Sequence, residues 1–222
     1  GRDLAYSMEI LKELEKEGVD AFDVDAGCYE TLDYIFPPSY LGESCMSYVC
    51  AHARQAVHVP LLNAGTHNPD TALALIQSGN ADLVSFGRAL IADPQMPNKL
   101  MQGHPEDVRP CLRCNEYCIG RIWDKHTKLS CAVNPAAMEE VRFRIERTAE
   151  PKKVVVIGGG PAGMEAARTA ALEGHHVTLF EKEKQLGGMM KIISTAAFKS
   201  NIRKLCKWYE VQLEKLGVEL RL

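Results

Sequence analysis

The sequence has 222 residues, of which 46% are hydrophobic and 25% charged, and its formal net charge at pH 7 is −3. These values fit a soluble globular protein of one large or two small domains and exclude disordered, collagen-like and membrane-embedded classes. Basic residues are scattered and no apolar run reaches the roughly 18 residues of a membrane span, so we expect neither nucleic acid nor a membrane as a partner.

The sequence up to about residue 108 alternates amphipathic helices with short apolar strands. Leu4, Met8, Leu11 and Leu14 recur at helical spacing. Further helices are predicted over 46–57, over 69–77 and after Pro94, and strands over 19–24, 59–65 and 81–88. This order is typical of βα units around a parallel sheet, and it predicts an α/β fold.

Candidate site residues follow the ends of these strands, where (β/α)₈ enzymes place their chemistry. Gly65 follows one strand, and Gly87 and Arg88 end the next. Backbone N–H groups and one cation at such positions can hold a phosphate, although turn glycines and a surface arginine are the alternative. Tyr29 follows the first strand and is either a proton donor to a substrate or an aromatic wall of the pocket.

A different pattern begins at residue 109, where four of the eight cysteines are crowded together: Cys111, Cys114, Cys118 and Cys131. The first residues of the sequence lack the basic and then apolar order of a signal peptide, so a reducing cytoplasmic location is expected. Four thiolates in such a compartment suit an iron–sulfur cluster or zinc, and ordinary thiols are the third possibility. Spacing alone does not separate these three.

The region after residue 151 carries a dinucleotide fingerprint, with Gly158, Gly160 and Gly163 between an apolar strand and a helix. These glycines allow a tight turn, a close approach to a pyrophosphate and close packing of helix and strand. Glu181 ends the following strand and would bind ribose hydroxyls. The bound dinucleotide could be NAD or FAD, and Leu186-Gly187-Gly188 resembles the FAD-binding start of two-dinucleotide flavoprotein reductases.

Five motifs in this order resemble one known family: Asp23 to Tyr29, Ala81 to Pro94, Arg109 to Cys118, Ser130 to Pro135 and Gly158 to Gly163. The sequence is similar to the Old Yellow Enzyme-related iron–sulfur flavoproteins. That family includes 2,4-dienoyl-CoA reductase, 2-enoate reductase, the bile-acid-inducible steroid enoate oxidoreductases and trimethylamine dehydrogenase. The resemblance covers essentially the whole sequence.

The resemblance implies three regions. Residues 1–108 would be the C-terminal part of an FMN-binding TIM barrel, and residues 109–150 a [4Fe–4S] cluster loop and linker. Residues 151–222 would begin a Rossmann-like FAD/NAD(P)-binding domain. Electrons would pass from NAD(P)H through FAD and the cluster to FMN.

The resemblance also assigns residues to each cofactor. The cluster ligands would be the four crowded cysteines, Cys111, Cys114, Cys118 and Cys131. The FMN phosphate would meet Gly65, Gly87 and Arg88. FAD would meet the glycine turn and Glu181, and Lys199 matches a position that contacts FAD in the dienoyl-CoA reductase.

The expected activity is NAD(P)H-dependent reduction of the activated C=C bond of a small-molecule enoate. Oxidation of an amine, as in trimethylamine dehydrogenase, and a non-catalytic nucleotide- and metal-binding module are the alternatives. Tyr29 stands where dienoyl-CoA reductases carry a histidine, which favours enoate or steroid substrates. Because the family has barrel strands before Val19 and nucleotide domains beyond Leu222, we expect a fragment that is inactive alone.

Overall fold

A computed structural model describes residues 3–222 of the chain. These residues form a mixed α/β structure with two three-stranded parallel sheets. It divides into two compact units. One is the chain up to Leu90 together with Arg113–Asn115, and the other is Ile91–Leu112 with Glu116–Leu222. The two parallel sheets and the helices between their strands confirm the predicted α/β class. Within the described residues, no helix is both long and apolar enough to cross a membrane.

The first sheet has the order β1 (Phe22–Val24), β2 (Leu61–Asn63) and β3 (Leu83–Val84). The helices between these strands are α1 (Leu4–Lys16), α2 (Leu32–Ile35), α3 (Ser47–Ala56) and α4 (Pro69–Gln77). Short 3₁₀ turns lie at Tyr29–Thr31 and Ser39–Leu41. Because all three strands run in parallel, the residues after β1, β2 and β3 leave the sheet at the same edge.

Helices α1 and α4 of the first unit begin at capping side chains, Asp3 and Asn68. The Asn68 side chain accepts from the Thr71 N–H over 2.9 Å at the start of α4, and Pro69 takes the first helical position. Helices α1 and α3 then bury apolar side chains against the sheet. The best buried core residues are Cys50, Ala53, Val57 and Leu61.

Three short helices lead from the first region into the second: α5 (Arg88–Ala92), α6 (Met96–Met101) and α7 (Ile119–Trp123). The second sheet has the order β4 (Lys153–Ile157), β5 (His176–Phe180) and β6 (Glu219–Arg221). The remaining helices are α8 (Pro161–Leu172), α9 (Met189–Ile193) and α10 (Ser200–Lys215). Helices α8 and α10 pack together with Met164, Leu179 and Leu213 in a fully buried core.

The structure differs from the predicted elements in several places. Strands β1 and β2 are shorter than the predicted 19–24 and 59–65, and α2 was not predicted. The strand predicted over 81–88 is only Leu83–Val84, and Arg88 begins α5, because the Leu90 N–H donates to the carbonyl of Gly87 and closes a turn. Helix α7 lies within the cysteine stretch, where a loop was predicted. Helix α9 was not predicted, and it begins after Gly187 and Gly188, whose φ angles are 112° and 50°.

Candidate functional site

The turn after β4 brings two glycine backbones into direct contact. A Cβ atom added at Gly163 would lie 1.8 Å from the carbonyl oxygen of Gly158. Gly158 has a φ of 103°, and its N–H donates to the carbonyl of Phe180 over 2.7 Å. Helix α8 can therefore approach the end of β4 only because position 163 has no side chain.

Gly160 is the open position of the same turn. It is the N-cap of α8 with a φ of −75°, and a Cβ atom there would meet nothing within 4 Å. The first N–H groups of a helix have no partners within the helix and attract anions. The Cβ position of Gly160 is therefore open to solvent or ligand at the N-terminus of α8.

Glu181, directly after β5, points its carboxylate at this turn. Oε1 accepts from the Glu183 N–H over 2.9 Å and Oε2 from the Gly159 N–H over 2.7 Å. These two hydrogen bonds, the one from Glu183 first, lower the pKa of Glu181 below its ordinary value. The carboxylate is ionised at neutral pH, and with about four acceptor sites it can also bind ligand hydroxyls.

Lys199 lies on a different element from the glycine turn. It is the N-cap residue of α10 and is half-buried, with Nζ 5.8 Å from the centre of the Phe198 ring. Its assignment to FAD stays a prediction.

The cysteine stretch is held together by hydrogen bonds within the second unit. The Ser130 N–H donates to the carbonyl of Tyr117 over 2.9 Å, and Arg121 Nη1 donates to the Ser130 hydroxyl over 3.2 Å. These bonds join the segment that carries Cys118 to the segment that carries Cys131.

A buried arginine joins the other two ends of the stretch. Arg109, two residues before Cys111, donates from Nη1 to the carbonyl of Val133, two residues after Cys131. The Cys111 carbonyl accepts from Asn201 Nδ2 of α10 over 2.9 Å. Cys111 and Cys131 also pack against the apolar core of the second unit. Hydrogen bonds therefore connect the segments that carry three of the four cysteines.

Arg109 itself is anchored by three side chains, from α8, from α10 and from the turn between α5 and α6. Its guanidinium lies over the Trp208 ring, its Nη2 is 3.5 Å from Glu165 Oε1, and its N–H donates to Asp93 Oδ2 over 2.8 Å. Arg168 makes a bidentate contact with Glu165 at 2.8 and 3.0 Å. The cysteine stretch is thus fixed to α8, which packs on the second sheet, and to α10, which packs against α8.

Cys114 lies between two residues with left-handed backbone, Arg113 at a φ of 53° and Asn115 at 58°. Such conformations are uncommon outside glycine and cluster at functional sites. The three residues belong to the first compact unit. Arg113 is buried, with Nη2 3.6 Å from Glu43 Oε1.

None of the cysteines, all of which lie within the described residues, forms a disulfide. Within residues 3–222, one group of three possible metal ligands has all its ligand atoms within 4.8 Å of one another. It consists of His104, Glu106 and Asp107. No three cysteine sulfurs meet that limit in the same range. Both acids of the group form ion pairs with Lys215, at 2.6 and 2.8 Å, so their charge is already partly compensated.

The predicted phosphate-binding residues lie at the strand ends of the first unit. Gly65 has a φ of 120°, and a Cβ atom there would lie 2.7 Å from Met46 Cγ. Gly87 would place a Cβ atom in open space. Arg88 donates from Nη1 to the carbonyl of Pro37 over 2.8 Å and to the side-chain oxygen of Asn115.

Tyr29 begins the 3₁₀ turn after β1, and 76% of its surface is exposed. It follows the same sheet edge as Gly65. Its role stays a prediction.

A buried polar group at this edge was missed by sequence reasoning. Asn63, the last residue of β2, is fully buried and donates to the carbonyl of Val24 over 2.6 Å. His67 lies between Asn63 Oδ1 and the Ser44 hydroxyl, each 3.0 Å from one ring nitrogen. Burial lowers the pKa of His67 against a smaller opposing hydrogen bond with Ala64. An asparagine that ends an apolar strand was the available signal.

Comparison with known proteins gives two domain matches. Residues 5–107 match the NADH:flavin oxidoreductase / NADH oxidase family, and residues 153–210 match the FAD dependent oxidoreductase family.

Individual relatives match along almost the whole chain. A cinnamate reductase of Clostridium sporogenes is 41% identical over all of this chain and 33% of its own length. An NADH oxidase of Thermoanaerobacter brockii is 40% identical over all of this chain and 34% of its own length. A solved 2-naphthoyl-CoA reductase matches with a TM-score of 0.90 and 30% identity, over 97% of this chain and 33% of that one.

The chain spans about a third of the length of these relatives. The matched regions follow one another in the order that the motifs predict. The chain therefore belongs to the Old Yellow Enzyme-related flavoproteins, with a NADH:flavin oxidoreductase domain followed by an FAD-dependent oxidoreductase domain.

Proposed function

We propose that these residues belong to an NAD(P)H-dependent oxidoreductase that reduces the activated C=C bond of an enoate by way of FAD, a [4Fe–4S] cluster and FMN. The observation that carries the proposal is the attachment of the cysteine stretch, through Arg109, to α8, which begins at the dinucleotide turn, and to α10, which packs against α8. Thiolates so attached suit an electron relay next to a nucleotide-bound flavin. The chemistry belongs to the bound cofactors, which carry electrons from NAD(P)H to the substrate double bond.

The glycine turn fits a dinucleotide. A side chain is excluded at Gly163 by backbone, whereas Gly160 faces open space that a pyrophosphate can fill. Glu181 is ionised and stands beside the turn, where ribose hydroxyls would meet it. We assign residues 151–222 to the start of a Rossmann-like domain, with Lys199 as a further contact of FAD.

The cysteine stretch over 109–150 fits a metal cluster by its donor set. Four thiols without disulfides are soft ligands for iron–sulfur or zinc. Sulfurs around one tetrahedral zinc lie about 3.8 Å apart at Zn–S distances near 2.3 Å. The same four thiolates can hold a [4Fe–4S] cluster, and the flavin oxidoreductase matches on either side of the stretch favour a redox cluster over zinc.

The strand ends of the first unit fit a flavin phosphate. Gly65, Gly87 and Arg88 follow β2 and β3 at one sheet edge, where backbone N–H groups and a guanidinium can bind the anion. We assign residues 1–108 to the last part of an FMN-binding (β/α)₈ barrel. Tyr29, exposed at the same edge, would donate a proton or a hydrogen bond to the substrate carbonyl. The 41% identity to a cinnamate reductase supports an enoate as the substrate class.

The test is metal and flavin analysis of the full-length protein purified without oxygen. We expect about four irons per chain, as the proposed cubane requires, with no stoichiometric zinc, and both FMN and FAD. NADH or NADPH should then support reduction of a 2-enoate such as cinnamate. Equimolar zinc without sulfur-to-iron absorbance would contradict the redox cluster.

Variants separate the ligands from the other thiols. Cys118→Ser should remove the iron. Cys206→Ser is the matched control, because Cys206 is a half-buried thiol of the same unit on α10. Loss of iron from both variants would point to general unfolding and not to ligation.

A further inference from the structure

Asn115 connects the cysteine stretch to the arginine that we assign to the flavin phosphate. Its Oδ1 accepts from Arg88 Nη1, and its Nδ2 donates to the carbonyl of Phe36 over 2.7 Å. The same Nη1 donates to the carbonyl of Pro37 over 2.8 Å. One terminal nitrogen of Arg88 is therefore held by a side-chain amide and by a backbone carbonyl.

These contacts restrict the whole guanidinium. The group is planar, with its donors in a rigid fork, so two acceptors on one nitrogen fix the plane and the direction of the fork. An arginine that is held in place before the ligand arrives loses less freedom on binding. Both acceptors thus favour a preorganised cation at this strand end.

The residue type at position 115 suits this role. An amide donates and accepts at once, so it can bind Phe36 and Arg88 together. Asparagine also tolerates the left-handed φ of 58° better than most residues. Its position directly after Cys114 makes its placement depend on the course of the cysteine stretch.

We propose that Asn115 is a positioning residue whose amide orients Arg88 towards the phosphate of FMN, so that the order of the cysteine stretch sets the affinity for FMN. The inference rests on the proposed function, in which Arg88 meets that phosphate. The inference adds that the contact between Arg88 and the phosphate depends on Asn115, a residue of the cysteine stretch.

The experiment measures binding of FMN and of riboflavin, which lacks the phosphate, to the full-length protein stripped of flavin. The variants are Asn115→Gly, Arg88→Met and the double variant. Glycine keeps the left-handed backbone and removes only the side chain. We expect Asn115→Gly to raise the Kd for FMN about tenfold or more and to leave the Kd for riboflavin unchanged. In the Arg88→Met background the same change should have no further effect.

Two further variants guard against a general folding defect. Asn134→Ala is the matched control, because Asn134 also bonds backbone groups with its side chain, the Ile91 carbonyl at 2.9 Å and the Ala136 N–H at 3.2 Å. It should leave the Kd for FMN unchanged. Asn115→Asp keeps an oxygen for Arg88 but adds negative charge beside the phosphate, so it should weaken FMN and spare riboflavin. Iron content is measured for each variant.

The outcomes separate the inference from the proposed function. If Arg88→Met weakens FMN but Asn115→Gly does not, the positioning role is wrong and the phosphate assignment stands. If Arg88→Met leaves the Kd for FMN unchanged, the phosphate assignment fails and the inference fails with it. Equal weakening of FMN and riboflavin, or additive effects in the double variant, would also overturn the inference.

Discussion

The guanidinium carbon of Arg109 lies 4.5 Å from the centre of the Trp208 ring. Arg109 stands two residues before the first clustered cysteine, and Trp208 is buried on α10. This contact attaches the cysteine stretch to the core of the second unit. A cation against an aromatic face contributes most when both groups are shielded from water, as they are here.

Arg109→Lys should therefore loosen the cysteine stretch while the charge is retained. Lysine cannot stack on the ring and also reach the Val133 carbonyl in the geometry of a guanidinium. We expect a loss of about 2 kcal/mol in the free energy of unfolding and fewer irons per chain. Arg142→Lys is the control, because Arg142 lies 5.1 Å from Phe143 at the surface. Equal losses in both variants would contradict a special role of the buried pair.

Glu165 should make the stability of the protein depend on pH. Burial by itself raises the pKa of Glu165, but the hydrogen bond from Arg168 and the charges of Arg109 and Arg168 outweigh it and leave the pKa below its ordinary value. A lowered pKa means that the folded state favours the carboxylate. Its contribution is fully present above the ordinary pKa of about 4.3 and is lost as the pH falls through the folded pKa.

The measurement compares Glu165→Gln with the parent by chemical unfolding at several pH values. The difference in unfolding free energy should stay constant from pH 7 to about pH 5.5 and shrink below about pH 4.5. Glu210→Gln is the control, because Glu210 pairs with Lys207 at the surface, where ion pairs contribute little. If the difference in unfolding free energy grew towards acid pH, the pKa of Glu165 would be raised in the folded state, and the prediction would be wrong.

Two glycines of one turn should respond differently to alanine. Gly163→Ala forces a Cβ atom into the Gly158 carbonyl, so the protein should lose both stability and FAD. Gly160→Ala meets no protein atom within 4 Å, so its unfolding free energy should change by less than about 1 kcal/mol. FAD retention should nevertheless fall, because the new methyl group occupies the space of the pyrophosphate. Flavin extraction measures the FAD content and thermal unfolding the stability of both variants. Full FAD content in Gly160→Ala would contradict the placement of the pyrophosphate beside Gly160.

Tyr29→Phe tests the proton donor. The variant keeps the ring and removes the hydroxyl, so reduction of flavin by NAD(P)H should be unchanged. Reoxidation by an enoate should slow by about 10²-fold, the usual size of a lost acid–base group. Tyr40→Phe is the control, because 61% of Tyr40 is exposed, comparable with Tyr29. A Tyr29→Phe variant with the parental rate would leave this side chain as packing.

The sequence predicted those helices and strands whose ends are set by residues adjacent in the sequence. Helix α4 runs from Pro69 to Gln77 as expected, because Asn68 and Pro69 fix its start. Strand β4 was predicted from its continuous apolar sequence, but its predicted burial was wrong: its residues alternate between exposed and half-buried, and Ile157 is 87% exposed. The third strand was predicted too long, since periodicity does not show that Gly87 closes a turn instead of extending the sheet.

The candidate site was predictable only as far as its motifs. The glycine turn and the four clustered cysteines can be recognised from the spacing of their residues in the sequence. The Arg109 contact with Val133 joins residues 24 positions apart, and the Arg88 contact with Asn115 joins residues 27 positions apart. Such pairs depend on tertiary packing, which no local pattern encodes, and a single arginine in a sequence is more often a surface residue.

Cys50 differs from the other thiols of the chain in being fully buried, with its Sγ donating to the Asn80 carbonyl over 3.1 Å. Burial also raises the pKa of this thiol above its ordinary value. Alkylating reagents attack the thiolate, so Cys50 can react only when α3 separates from β2. Its rate of labelling in the native protein would report transient opening of the first unit, by a signal independent of flavin colour and iron content.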